Sequence, residues 1–252
     1  MLSYNHERFI GDTINSISEQ VLTGLNVEYI FVDDASTDNT QKVILEKASV
    51  LKNVRCHFMN RNLFTKGINI NWIYGIGLAK GRFIAFCEGD DFWLNKNRLS
   101  IQAAFLTNNP DIACVGGNKV NILESVFRDN FVSKDISGTS MRFSQQQLRR
   151  TFPFYPGTAM YRNLVNWPES SVRFWKPRDI HLYEMISAHG DFFKMEYNFL
   201  AYRRHDGGIH SSVSRRRRAL QHVRFYFELF CFTWSITYLK NTLINIYAFV
   251  RG

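Results

Sequence analysis

A chain of 252 residues can bury one sizeable core, and one α/β domain with a C-terminal appendage fits better than two equal domains. Composition is that of a globular protein, and a net charge of +9 implies an anionic partner: nucleic acid, an anionic membrane surface or phosphorylated substrates. The four cysteines (Cys56, Cys87, Cys114, Cys231) show neither a C-x-x-C pair nor zinc spacing, which reads as a reduced, cytosolic chain. Met1-Leu2-Ser3-Tyr4-Asn5 runs straight into polar residues and reads as no signal peptide. No stretch reaches the roughly 18 to 20 apolar residues of a membrane span, and the nearest, Phe225 to Leu239, contains Glu228.

In chain order, Phe9, Ile10, Ile14, Ile17 and Val21 recur at helical spacing over residues 7–21. Val27 to Val32 is a β-rich run that stops at Asp33-Asp34-Ala35-Ser36-Thr37-Asp38, and Asp38 is placed to cap a helix through about Val50. Val54 to Met59 reads as a second strand, residues 67–79 as a helix closed by Gly81, and Arg82 to Cys87 as a third, buried strand. Alternation of strand and helix at this spacing implies a parallel sheet with crossover helices, and ligands bind such sheets beyond the carboxyl ends of the strands. Two of these strands end in acids, one in Asp33-Asp34 and one in Glu88-Gly89-Asp90-Asp91, so both acid groups are expected on one sheet edge. Further on, residues 95–108 read as a helix, Ile112 to Val115 as a strand, Asp179 to His189 as a helix and Phe192 to Tyr202 as a strand. Residues 118–155 give no clear pattern, and the tail opens with Arg215-Arg216-Arg217-Arg218 before an aromatic, helical segment.

Hard divalent cations such as Mg²⁺ or Mn²⁺ prefer carboxylate oxygens and commonly sit between one or two carboxylates and substrate phosphates. Glu88, Asp90 and Asp91 supply such a set, and three neighbouring carboxylates repel unless a cation offsets them. A solvated acidic turn is the alternative, and it is weakened by the buried strand before the cluster and by the second acid pair.

Four ordered segments carry a resemblance: Tyr4-Asn5-His6-Glu7-Arg8-Phe9-Ile10, Val32-Asp33-Asp34-Ala35-Ser36-Thr37-Asp38, Ala79-Lys80-Gly81-Arg82-Phe83-Ile84-Ala85 and Glu88-Gly89-Asp90-Asp91-Phe92-Trp93. Together they resemble the nucleotide-binding half of family 2 glycosyltransferases, which adopt the GT-A fold, a Rossmann-like, mostly parallel sheet flanked by helices. Tyr202-Arg203-Arg204-His205-Asp206-Gly207-Gly208-Ile209 is similar to the segment that closes that domain. The resemblance covers about residues 1–214, leaving 215–252 as a basic, aromatic helical tail.

The resemblance implies roles. Asp34 accepts a hydrogen bond from the nucleobase, usually uracil, and Tyr4 stacks near it. Asp90 and Asp91 sit near ribose and the metal-bridged diphosphate, with Asp91 the better metal ligand. Glu88 holds the first position of a D-x-D-like pattern, where the longer arm leaves its direct coordination open. The family typically inverts the anomeric centre by one displacement, with a carboxylate taking the acceptor proton. Asp179 lies where that base is carried, with a cap on its own helix as the alternative, and Glu184 and Asp191 are lesser candidates. Arg204 and His205 would reach metal or pyrophosphate, and Thr158, in Pro156-Gly157-Thr158-Ala159-Met160-Tyr161-Arg162, is an acceptor contact. The function implied is metal-dependent transfer from a nucleotide-sugar donor to a glycan or lipid-linked acceptor in cell-surface polysaccharide synthesis.

Other readings stand beside it. A nucleotidyltransferase of the same fold would need a Gly-rich basic loop that Tyr4 to Gly11 lacks. Gly75-Ile76-Gly77 before Gly81 precedes a strand, so the dinucleotide fingerprint fails. The arginine run is unaccompanied by a nucleic-acid motif, and its aromatic neighbours fit a peripheral anchor on the cytoplasmic membrane face or a helix packed on protein. The family pattern also begins with about five apolar strand residues, of which only Met1-Leu2-Ser3 are present. That predicts exposed ladder groups, lower stability and a non-catalytic, membrane-associated partner as a further alternative.

Overall fold

The computed structural model describes residues 1–68, 71–131, 139–164, 178–205 and 215–251. It falls into two compact units, Met1–Leu148 with Phe152–Arg203, and Arg149–Thr151 with Arg204–Gly252.

The first unit begins with three parallel strands in the order of the chain, β1 (Leu2–Ser3), β2 (Tyr29–Asp33) and β3 (Val54–Phe58). They are joined by α1 (Ile10–Ser18) and α2 (Thr40–Ala48). Helix α1 buries Ile10, Ile14 and Ile17, the apolar positions of its 3.6-residue pattern, and Ile10 and Ile14 pack with Phe31, Ile44 and Ala48. Asp38 supports the start of α2 from one residue ahead of the N-cap Asn39, with Oδ1 accepting from the Thr40 amide at 3.0 Å.

The second sheet has the order β4 (Phe83–Ala85), β8 (Met160–Arg162), β6 (Ile112–Leu123), β9 (Asp191–Arg204) and β5 (Phe92–Trp93), and β7 (Met141–Phe143) pairs with β9. It contains the antiparallel pairs β4–β8, β6–β8, β5–β9 and β7–β9. The parallel reading holds for β1, β2 and β3 and for the bridge from Leu2 to Glu88, whereas β4 takes β8 as a neighbour of opposite direction. Helix α3 (Arg98–Asn108) packs Leu99, Ala103 and Leu106 into a core with Trp93, Val115, Met160, Phe199 and Leu200. The short α4 (Gln145–Leu148) and α5 (Asp179–Ser187) complete this unit.

The two sheets meet where Leu2 bridges Glu88 in parallel: the Leu2 amide donates to Cys87 O at 3.3 Å and the Gly89 amide to Leu2 O at 2.9 Å. Ahead of that bridge, β2 and β4 flank an apolar cavity of about 340 Å³, lined among others by Met1, Tyr29, Phe31, Phe83, Ala85 and Cys87. The helix expected over 67–79 is replaced by a 3₁₀ turn at Phe64–Lys66, a π turn at Asn71–Gly75 and a 3₁₀ turn at Ile76–Leu78. Gly67, at φ 83°, ends the first of these, and Gly75 and Gly77 weaken any longer helix.

The second unit is a helical hairpin of α6 (Arg215–Thr233) and α7 (Ile236–Arg251). Tyr226 stacks on Tyr238 with ring centres 6.2 Å apart, and the chain turns at Trp234, whose φ of 54° is left-handed. Among the described residues no helix is long and apolar enough to cross a membrane.

Candidate active site

Beyond the carboxyl ends of β1 and β2, two loops are laced together. The Asn5 amide donates to Ser36 Oγ, the Thr37 amide to Asn5 Oδ1, the Glu7 amide to Asp38 Oδ2 and the Asn39 amide to Glu7 Oε2, all at 2.6–3.1 Å. Asn5 and Ala35 both take left-handed φ, 54° and 63°, which for a non-glycine residue costs energy and persists only where neighbours enforce it. Asp33 is the organiser: fully buried, it accepts from Ser3 Oγ at 2.8 Å, the Ser36 amide at 2.9 Å and Gln41 Nε2 at 2.7 Å. Tyr4 projects from this loop pair with 43% of its surface exposed, free enough to stack on a planar ligand.

Asp34 sits one residue further, and its amide donates to Ser3 O at 3.0 Å. Leu2 O receives the Gly89 amide, so adjacent residues of β1 carry the two acidic termini side by side. The convergence expected from the sequence is present. Asp34 Oδ1 accepts from the Leu63 amide at 2.7 Å and Oδ2 from the Phe64 amide at 3.0 Å. A carboxylate has about four lone-pair sites, so both oxygens keep acceptor capacity while fixing the loop that follows β3.

Glu88, Asp90 and Asp91 bring one carboxylate oxygen each within 4.8 Å of one another. Burial pushes the Glu88 carboxyl up to about 8, with the neighbouring Asp90 charge adding to the shift and the Tyr155 hydroxyl opposing it. Burial also holds Asp91 well above the usual carboxylate range, followed by the charges of Asp90 and Glu88. Asp91 Oδ1 accepts from the Arg203 amide at 2.9 Å, whereas Oδ2 is buried without a hydrogen-bond partner. An orphaned buried oxygen on a residue grouped with two further carboxylates suits a hard divalent cation, which would supply a partner and cancel the repulsion.

Several residues that build this site were given no role from the sequence, although His6, Tyr202 and Arg203 lie in the segments that carry the resemblance. Arg203 is almost completely buried; its Nε donates to Asp90 O at 3.0 Å and its Nη2 pairs with Asp12 Oδ2 at 3.0 Å. Its guanidinium lies 4.7 Å from the Phe9 ring centre. It thus grips the acidic loop by backbone and side chain together. Tyr155 donates to Glu88 Oε2 at 2.6 Å and meets Tyr202 edge-on at 4.9 Å. Lys119 Nζ lies 4.3 Å and 3.7 Å from those two ring centres, a cation held close to the acids. His6 Nε2 stands 3.7 Å from Asp90 Oδ2.

Asp179 is exposed in the first turn of α5, and its charge is among those that raise the Glu88 carboxyl, so it stands in electrostatic reach of the cluster. At the helix start His181 Nδ1 accepts from the Arg178 amide at 3.0 Å, and Asp179 is the acidic residue of the first turn. Glu184 is buried beside Gln145, and Asp191 pairs with Arg142 at 2.6 Å. Thr158 departs from expectation. It is fully buried, its hydroxyl donates to Tyr155 O at 2.7 Å, and the same oxygen receives the Gly117 amide at 3.3 Å, so it braces the core and does not face an acceptor. Arg204, exposed at the end of β9, and His205 belong to the second unit, and Gly207, Gly208 and Ile209 lie outside the described residues.

A profile described as "Glycosyl transferase family 2" matches residues 1–167. The chain belongs to that family. Relatives by sequence include an uncharacterized Mycobacterium tuberculosis protein, 27% identical over 221 residues, or 86% of this chain and 61% of that one. Another is WfgD of Escherichia coli, a UDP-Glc:alpha-D-GlcNAc-diphosphoundecaprenol beta-1,3-glucosyltransferase, 30% identical over 58% of this chain and 52% of its own. This chain therefore spans about three-fifths or less of the length of these relatives. Among solved structures, Staphylococcus aureus TarS with UDP-GlcNAc superposes at a TM-score of 0.66 and 19% identity, over 91% of this chain and 65% of that one. The mannosyltransferase PcManGT of Pyrobaculum calidifontis with GDP-Man and Mn²⁺ gives 0.55 at 15% identity, covering 98% and 70%. At these identities the structures establish the GT-A fold shared with this member of the family.

Proposed function

We propose that this family 2 member transfers a sugar, with inversion, from a uridine-diphosphate donor to a glycan or lipid-linked acceptor of cell-surface polysaccharide. The observation that carries the reading is the acidic triplet Glu88, Asp90 and Asp91 on the shared rim, with the Asp91 Oδ2 oxygen buried and unpaired. Asp91 and Asp90, with Glu88 beside them, would hold Mn²⁺ or Mg²⁺, which when bound neutralises the diphosphate and makes it a better leaving group.

The remaining work falls to the chain's own side chains. Tyr4 offers an aromatic face to the base, and Asp34 offers its remaining acceptor capacity to the base's N–H. Arg203 keeps the Asp90–Asp91 backbone fixed, so the carboxylates are aimed before a donor arrives. Asp179, a carboxylate in reach of the cluster's field, takes the acceptor proton as that oxygen attacks the anomeric carbon from the face opposite the leaving diphosphate. WfgD's diphosphoundecaprenol substrate supports a lipid-linked acceptor, and TarS with UDP-GlcNAc supports a uridine donor.

Titration calorimetry with UDP and Mn²⁺ tests this: binding is expected for the wild type and is lost in Asp91→Ala. Absence of metal-dependent nucleotide binding by the wild type would refute the enzyme reading. Asp179→Asn separates the base from the site, because it should keep UDP binding while turnover falls by about 10²-fold or more.

A further inference from the structure

We infer that the α6–α7 hairpin is a docking surface for an anionic lipid bilayer, on which it lies without spanning. Three observations, independent of the nucleotide site, carry this. The first is charge. Residues 204–252 hold eight Lys and Arg against Asp206 and Glu228, a net +6 of the chain's +9, in 49 residues. Four of these cations, Arg215 to Arg218, open α6, where the helix dipole is itself positive, so positive charge is concentrated at that end. The hairpin folds the end of α7 back to the same place: the Arg216 guanidinium stands 4.9 Å over the Phe249 ring, two residues from Arg251.

The second observation is an exposed apolar stripe on each helix. On α6 it runs Leu220, Arg224, Phe227, Cys231 and on to Trp234; on α7 it runs Ile236, Lys240, Leu243, Tyr247 and Val250. Steps of four and three residues keep each stripe on one helical face. Exposure is greatest at the turn, 79% for Trp234 and 80% for Ile236, where folding into a core would have hidden them first. Tryptophan at such a tip suits the boundary between headgroups and acyl chains.

The third observation decides between lipid and a second copy of the chain. The four-and-three spacing would also suit a helical bundle. Each stripe, however, has a cation within it, Arg224 and Lys240, and in a self-paired bundle both would be buried with Glu228, already paired with Arg224 at 3.2 Å, as the one acid of the two helices. Taking two cations and a single acid out of water opposes such pairing, whereas at a bilayer the stems of Arg224 and Lys240 lie along the apolar face and their heads reach lipid phosphate. No described helix is long and apolar enough to span, which fits a surface mode.

Vesicle flotation of the full chain tests the inference. With vesicles containing about 30% phosphatidylglycerol we expect binding at low salt that falls at least about tenfold near 0.5 M salt, and little binding to pure phosphatidylcholine. Two surface variants should each weaken partitioning by about tenfold or more, the pair Trp234→Ser with Ile236→Ser, and Arg215 to Arg218 all changed to Gln. Both variants should keep the wild-type Tm and UDP·Mn²⁺ binding, which separates this inference from the catalytic one. Equal binding to neutral vesicles, or no binding to anionic ones, overturns it. So does a dimer by light scattering that Trp234→Ser dissolves while vesicle binding is unchanged, since the stripe would then belong to a second copy.

Discussion

Replacing Asp91 by Asn should stabilise the metal-free protein while abolishing its response to Mn²⁺ and UDP. The substitution is nearly isosteric and removes one negative charge from a group whose acceptor oxygens all lie within 4.8 Å. Two unit charges at that separation repel by about 3.5 kcal/mol at an effective dielectric of about 20. Glu88 and Asp91 are both raised, so near pH 7 the folded chain either carries this repulsion or takes up protons to avoid it, and asparagine at position 91 removes the cost in both cases. Against the relief stands the hydrogen bond from the Arg203 amide to Asp91 Oδ1, which drops from a charged acceptor to a neutral one at a cost of about 1 kcal/mol. Lys119 already screens part of the repulsion. A net gain of about 1–2 kcal/mol remains, or a Tm higher by roughly 2–8 °C for a chain of this size. Differential scanning fluorimetry in chelator reads the first half, and the same scan with Mn²⁺ and UDP the second. A lower Tm for Asp91→Asn without metal would refute the reasoning, since it would mean that the acidic cluster is held by favourable contacts and is not in want of a cation.

Other outcomes follow from the same coordinates. Because the folded state raises the Glu88 carboxyl from 4.5 to about 8, the stability linked to its proton is complete below pH 4.5 and is lost as pH rises towards 8 and above. Metal-free Tm should therefore carry a declining component across that window that saturating Mn²⁺ removes, and Mn²⁺ affinity by calorimetry should climb over the same range. Gly89→Ala would set a Cβ 2.7 Å from Ile10 Cδ1 and 2.8 Å from His6 Nδ1, so it should displace the acidic turn and weaken UDP·Mn²⁺ binding by about tenfold or more in calorimetry. Arg98 is fully buried, with Nε on Gln102 Oε1 at 3.0 Å, Nη2 on Ala159 O at 3.1 Å and its guanidinium 4.3 Å over Trp93; Arg98→Lys, lacking the planar fork, should lower stability in urea by about 2–3 kcal/mol.

Legibility in the sequence followed the range of the interactions. The β1–α1–β2–α2–β3 run was readable because each element is specified locally, by Ile10, Ile14 and Ile17 at helical spacing or by Asp38 ahead of Thr40. The acid termini were readable because a strand that stops in two acids implies its own rim. The antiparallel half was not, because β4 finds β8 about 75 residues later, and nothing in Phe83-Ile84-Ala85 names a partner. Tyr155 reaches Glu88 across 67 residues and Arg203 reaches Asp91 across 112, so neither contact leaves a local pattern. One weak cue existed: Arg203 is a cation at the end of the buried run Phe199-Leu200-Ala201, and a charge there must be paid for by partners. Thr158 misled for the converse reason, since its motif was local while the Gly117 and Tyr155 groups that claim its hydroxyl were not.

The same distinction explains why this site can carry its own repulsion. Asp33, Asp34 and Asp38 have their carboxylates satisfied by backbone amides and hydroxyls, so the loops they shape are stable without any ligand. Asp91 is treated differently: one oxygen is held by a backbone amide and the other is left buried and unpaired, in a loop that Arg203 prevents from relaxing away. Were Arg203 absent, the acidic turn could swing towards water and lose its strain. With it, the strain persists until a cation arrives, and the binding energy of that cation is raised by the repulsion it removes. Arg203→Lys should accordingly lower Mn²⁺ affinity more than it lowers Tm, because a single ammonium cannot serve Asp90 O, Val126 O and Asp12 together.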